Sequence, residues 1–173
     1  MEGRTIPNWN SNVITIEGPA DKIRALWDSA KTQTDGFLLE AMSPIGEWDY
    51  DTAVNAWGTK WDLSDEGLEF VPGDNGRAMI TGWADSAWSP PIEAFQTYAN
   101  ANPDVYAEIR YFEPGMSFIG VWDSENGDQY WEDVHQFVKN GTDDDVLEEL
   151  MEEFAVWDWY EFDEDEEDDT VEE

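Results

Sequence analysis

Over residues 13–17 apolar and polar positions alternate, the period of a half-buried strand, and Gly18-Pro19 closes the run. Pro19 suits the first turn of a helix, after which Ile23, Leu26, Trp27 and Ala30 recur at helical spacing. Beyond an apolar stretch at residues 37–42 and a turn at Pro44 to Gly46, residues 50–56 predict a short helix. Trp57-Gly58-Thr59-Lys60-Trp61-Asp62 then reads as a turn into a strand. Residues 68–71 and 78–83 are strand-like runs around Pro72-Gly73-Asp74-Asn75-Gly76, the chemistry of a hairpin. Ser89-Pro90-Pro91 caps and starts a second helix, with Ile92, Phe95 and Tyr98 or Ala99 inward and Asn102-Pro103 at its end. Residues 105–112 and 117–122 predict two strands around Glu113-Pro114-Gly115, and residues 129–134 predict a third.

That order is close to βαββαβ with one extra edge strand. It predicts an α+β fold: a ferredoxin-like antiparallel sheet with helices on one face. The other face then needs a cover. Thr142-Asp143-Asp144-Asp145 reads as a helix-capping box, and Val146, Leu147, Leu150, Met151, Phe154 and Trp157 fall along one side of the helix that would follow. This helix is expected to dock through that side and present Glu148, Glu149, Glu152 and Glu153 to solvent. From Asp163 onward too little apolar content remains to offset ordering entropy, which predicts a disordered acidic tail. The expected division is residues 1–139 as the α+β body, 140–162 as an acidic amphipathic helix with an aromatic segment, and 163–173 as the tail.

Charge changes the picture most. The formal net charge is -34 on 173 residues, whereas a magnitude of roughly 2 to 8 already solubilises a small domain. Residues 1–139 hold twenty-four acids and eight bases; residues 140–173 hold eighteen acids and no Lys, Arg or His. Both parts repel nucleic acid and anionic membranes, whose binding relies on Lys and Arg. The partner this predicts is a basic surface. No cysteine is present, which excludes disulfides and thiolate metal sites. No apolar run approaches twenty residues and Met1-Glu2-Gly3-Arg4 lacks a signal peptide's hydrophobic region, so the expected location is the cytoplasm.

Three stretches rich in tryptophan resemble a known family: Pro7-Asn8-Trp9-Asn10-Ser11-Asn12, the Trp57 to Asp62 stretch, and Ala87-Trp88-Ser89-Pro90-Pro91. Together they resemble the YubB-like ferredoxin-fold proteins of bacterial plasmids and phages, over residues 6–135. The resemblance implies a ferredoxin-like fold and a mobile-element origin. It implies no iron–sulfur centre, because the name describes topology and the chain has no cysteine. The acidic C-terminal extension departs from the family pattern.

Candidate chemistry is sparse. His135 is the single histidine and no Gly-x-Ser-x-Gly elbow accompanies it, so it is expected at a strand end and no enzyme activity is predicted. Neither Asp143 to Asp145 nor Asp163 to Asp169 has the ligand alternation of an EF-hand loop; no metal or other cofactor is expected. Trp9, Trp57, Trp61, Trp83 and Trp88 read as core or sheet-face packing, or else as an aromatic surface able to grip a sugar or an arginine. Lys60 is expected to pair with a nearby acid. Aromatics alternate with acids from Trp157 to Phe162, a pattern that either extends the docked helix or adds a strand, or else forms a recognition segment in which apolar anchors sit inside an acidic envelope.

The function these features predict is DNA mimicry. Duplex DNA carries one charge per roughly 1.7 Å, and a protein that binds it presents a matching positive channel. The chain is therefore expected to occupy the nucleic-acid site of a host DNA-binding enzyme, either a defence nuclease or RNA polymerase. The residues expected at that interface are Asp143, Asp144, Asp145, Glu148, Glu149, Glu152, Glu153, Trp157, Asp158, Trp159, Glu161, Asp163, Glu164 and Asp165. No direct binding to nucleic acid or membrane is expected, and both monomer and homodimer remain open. An aromatic glycan-binding module and an acidic adaptor or chaperone for a basic protein are the alternatives.

Overall fold

The computed structural model describes residues 8–160. The protein is mixed α+β. Strands β1 (Trp9–Pro19), β2 (Leu68–Pro72), β3 (Arg77–Ala87), β4 (Tyr106–Glu113), β5 (Phe118–Asp123) and β6 (Gly127–Glu132) form one sheet in the order β2-β3-β1-β4-β5-β6. Every neighbouring pair is antiparallel. Helices α1 (Ala20–Lys31), α2 (Leu38–Met42) and α3 (Tyr50–Trp57) lie between β1 and β2, and α4 (Ile92–Ala101) lies between β3 and β4. After β6 come α5 (Val134–Asn140), α6 (Asp145–Glu153) and a 3₁₀ turn at Val156–Asp158.

The period-2 alternation of β1 assigns its two faces. Ile14 and Ile16 are fully buried beneath α1 to α4, with Ile80, Ile109 and Trp122 from neighbouring strands and Ile23, Leu38, Leu39 and Phe95 from the helices. Val13 points the other way. There Phe112 and Ile119 pack with Val134, Leu147, Leu150, Met151, Phe154 and Val156, so the C-terminal helices close a second, smaller core on the opposite face.

Apart from the one at residues 57–62, the expected strands form, as do the hairpin and the second helix, and the C-terminal helix docks as expected on the second sheet face, covering the apolar positions Val13, Phe112, Ile119 and Val121. Several expectations differ. The six-strand order is not that of a four-strand ferredoxin-like sheet, since β5 and β6 extend it beyond β4. Residues 57–62 form no strand: Trp57 ends α3, Gly58 is its left-handed cap (φ 83°), and the following residues are irregular. The third predicted strand stops at Glu132, and Val134 begins α5, so His135 lies in the first turn of a helix.

The acidic helix also differs in detail. Asp144 caps it, accepting from the backbone N–H groups of Val146 (3.0 Å) and Leu147 (3.1 Å), while Thr142 Oγ1 accepts from the Asp144 N–H. The helix ends at Glu153, and Ala155 adopts a left-handed backbone (φ 48°). That break shifts the helical phase. Val156 is buried where Trp157 was expected, and Trp157 and Val146 are exposed. No described helix is long and apolar enough to cross a membrane.

Candidate functional site

The three tryptophan-bearing stretches meet in space. The Trp88 backbone N–H donates to Asn8 O (2.9 Å), Thr59 Oγ1 donates to Ala87 O (2.9 Å), and Ser89 Oγ donates to Gly58 O. Beneath this junction lies a buried polar cluster. Asn12 Nδ2 donates to Ala84 O and Ser86 Oγ (both 2.9 Å), and Asn10 Nδ2 donates to Asn12 Oδ1 (2.6 Å). Buried amides hold position only when they are paired, so this cluster fixes the register of β1 against β3. Asp62 completes the junction. Its carboxylate accepts from the N–H groups of Phe37 (2.7 Å), Leu39 (2.9 Å), Glu40 (2.9 Å) and Leu63 (2.7 Å), which ties the loop to the start of α2. Trp57 is buried in the main core, and its indole N–H donates to Ser43 O (2.9 Å). The Trp57 to Asp62 stretch is thus largely a structural latch.

Other tryptophans are not used this way. Trp9, Trp61 and Trp83 are 46%, 37% and 50% exposed, and they line one groove of about 390 Å³ together with Glu66 and Asp85. Lys60 pairs with no acid among the described residues; its ammonium sits 4.4 Å from the centroid of the Trp61 ring. On the far side of Trp83, its ring meets Phe154 edge-on at 5.5 Å, so the groove borders the segment that follows α6.

The acidic face of α6 is placed by its apolar one. Leu147, Leu150 and Met151 are buried, leaving Asp145, Glu148, Glu149 and Glu152 exposed, with Asp143 exposed just before the helix. Two of the predicted interface acids turn inward. Asp144 is spent on capping, and Glu153 pairs with Arg110 Nη2 (2.8 Å) across the second core. Arg110 Nε also lies 3.3 Å from Glu108 Oε1 without the alignment of a hydrogen bond, so that contact is one of charge. Burial pushes the Glu153 carboxyl above its ordinary range, and Arg110 opposes the shift. Trp157, Asp158 and Trp159 are exposed, although Trp159 keeps an edge contact with Phe112 at 6.3 Å. Glu161, Asp163, Glu164 and Asp165, and the expected tail, lie outside the described residues.

Six of the seven described bases are engaged. Lys22 pairs with Asp104 (2.6 Å), Lys31 with Asp65 (3.9 Å), Arg77 with Glu17 (3.2 Å), and Arg110 as above. Arg24 stacks on Phe70 (3.9 Å) and Lys60 on Trp61. The acid excess is therefore left facing solvent.

A serine–histidine contact escaped the sequence reading. Ser117 (φ 58°) lies 3.0 Å from His135 Nδ1, and its hydroxyl also receives the His135 backbone N–H (3.2 Å) and the Tyr160 hydroxyl (3.1 Å). The far ring nitrogen of His135 meets the Gln136 amide rather than a carboxylate. A nucleophile's oxygen must be free to attack and its base oriented by an acid; here the oxygen is saturated. The cluster is a clasp joining the β4–β5 turn, α5 and Tyr160.

A second concavity of about 580 Å³ lies between α4 and the uncovered end of the sheet, lined by Phe118, Tyr130, Glu93 and Asp128. Tyr111 donates its hydroxyl to Asp128 there (2.7 Å), and burial raises the Asp128 pKa. Among the described residues no cluster of His, Asp and Glu is arranged to hold a metal. Neither family models, curated proteins nor solved structures contain a match to this chain.

Proposed function

We propose that the protein is a DNA mimic of mobile-element origin that occupies the positively charged nucleic-acid site of a host DNA-binding enzyme. One observation carries this reading: the solvent face of α6 is a row of carboxylates with no base among them. Asp145, Glu148, Glu149 and Glu152 span seven residue steps. At about 1.5 Å per step that is one carboxylate per about 3.5 Å of helix axis, close to the one phosphate per roughly 3.4 Å of axis that one DNA strand presents. The row is anchored, since Asp144 caps it, Arg110 holds Glu153, and Leu147, Leu150 and Met151 fix its rotation. A fixed array loses less entropy on binding than a flexible one. Within the same proposal, β1 to β4 with α1 and α4 form a ferredoxin-like unit of the YubB-like kind. The order β2-β3-β1-β4 and the crossing of β1 to β2 through helices support that.

The test is capture from bacterial lysate on the full chain, with elution by duplex DNA and with the E148Q/E149Q/E152Q variant as control. The expected outcome is a DNA-binding enzyme that duplex DNA displaces, that the variant retains poorly, and whose own DNA binding the protein inhibits. Partners that DNA does not displace would replace mimicry with the adaptor reading.

A further inference from the structure

The aromatic groove beside α6 is distinct from the carboxylate row and is shaped by different residues. Trp9, Asp85 and Trp83 lie on the same sheet face along the β1–β3 pair. Trp9 is opposite Ala87, Asp85 opposite Ser11, and Trp83 opposite Val13. Steps of two residues place these rows about 6.6 to 6.8 Å apart, so a carboxylate stands midway between two half-exposed indoles. Trp61 leans on Trp9, with ring centroids 6.1 Å apart and planes at 41°. That is too close for anything to slip between them, so the two rings make one wall. Glu66 adds a second exposed acid at the rim.

We infer that this groove is a binding site for an arginine side chain presented by a basic partner. Indole faces attract cations, and a guanidinium can stack on an indole while its N–H groups reach a carboxylate. A lysine ammonium is held more strongly by water and cannot stack. The groove holds about 390 Å³, ample for one such side chain. Lys60 above Trp61 already shows one of these rings holding a cation. A sugar would also stack on indole, but it would leave Asp85 and Glu66 without a counter-charge. The inference deepens the proposed function and rests on it for the kind of partner, not for the chemistry of the groove.

The experiment titrates the ¹⁵N-labelled full chain with a capped Gly-Arg-Gly peptide and with its citrulline and lysine counterparts. The indole N–H signals of Trp9, Trp61 and Trp83 are expected to shift with the arginine peptide, weakly with lysine, and not with the neutral citrulline. Affinity should fall about five- to tenfold in Asp85→Asn and in Trp83→Leu, each loss reflecting roughly one cation contact. It should survive in E148Q/E149Q/E152Q. Asp85 is exposed, so its variant retains the fold even if loss of the Trp83 contact with Phe154 loosens the other. Equal shifts with citrulline, or unchanged affinity in Asp85→Asn, would overturn the inference. Arginine binding in a protein that captures no DNA-binding enzyme would leave the groove standing and remove mimicry; DNA-displaceable capture with unmoved indoles would do the reverse.

Discussion

Asp62 shows how much one side chain can organise. It follows Trp61 in a stretch that reads in sequence as a turn into a strand, yet its carboxylate takes four backbone N–H groups from two segments, which a strand residue could not reach. Hydrogen bonds to a charged acceptor contribute about 1.5 to 3 kcal/mol each at most and are not additive. Asp62→Ala is therefore expected to destabilise the protein by about 3 kcal/mol, and Asp62→Asn by less, as read by urea unfolding. Gly58 is a second such residue. At φ 83° an added Cβ would stand 3.1 Å from Pro90 O, so Gly58→Ala combines a strained backbone with a tight contact. A loss of at least about 1 kcal/mol is expected, against a small gain at a permissive site.

At the scale of elements, α6 is where periodicity was most legible and where it broke. Its inward residues Leu147, Leu150 and Met151 could be read from spacing alone, because a nine-residue helix has one apolar stripe. The end of the helix could not. Ala155 has no glycine-like signature, and its left-handed turn is set by Val156 filling the second core. Likewise the inward turn of Glu153 depends on Arg110, forty-three positions earlier in sequence and brought near by β4. The junction of the three tryptophan stretches was visible as composition but not as contact, since hydrogen bonds such as Thr59 to Ala87 join residues that no local pattern relates. Whether α6 must be rigid to bind is testable through its cap. Asp144→Ala removes two hydrogen bonds at the helix start and should cost about 1 kcal/mol of stability. If the anchored row is what a partner reads, the same variant should weaken target binding while leaving arginine binding in the groove unchanged.

Across the whole molecule the charge that would serve binding works against folding. The excess negative charges of the described residues crowd closer in the native state than in the unfolded chain, and six engaged bases relieve them only locally. Individual groups point the same way. Burial raises the pKa of Glu153 above its ordinary 4.5 and of Asp128 above 3.8, so the native state binds their protons more readily than the unfolded state does. Stability from these groups is gained as pH falls through their raised values, and the gain is complete below the ordinary ones. Asp104 runs opposite: Lys22 holds its pKa below 3.8, so its contribution is present at higher pH and fades only below that value. As pH falls from 7.5 toward 4.5 the first two groups and the relief of repulsion act in the same direction, and Asp104 is silent. The thermal midpoint is therefore expected to rise on acidification across that interval. Adding salt at pH 7.5 should reproduce part of the rise, because screening over about 8 Å or less removes the repulsion but not the burial of Glu153 and Asp128. A midpoint that falls between pH 7.5 and 4.5, or a salt effect that accounts for the whole change, would show that the two desolvated carboxyls do not titrate as their surroundings require.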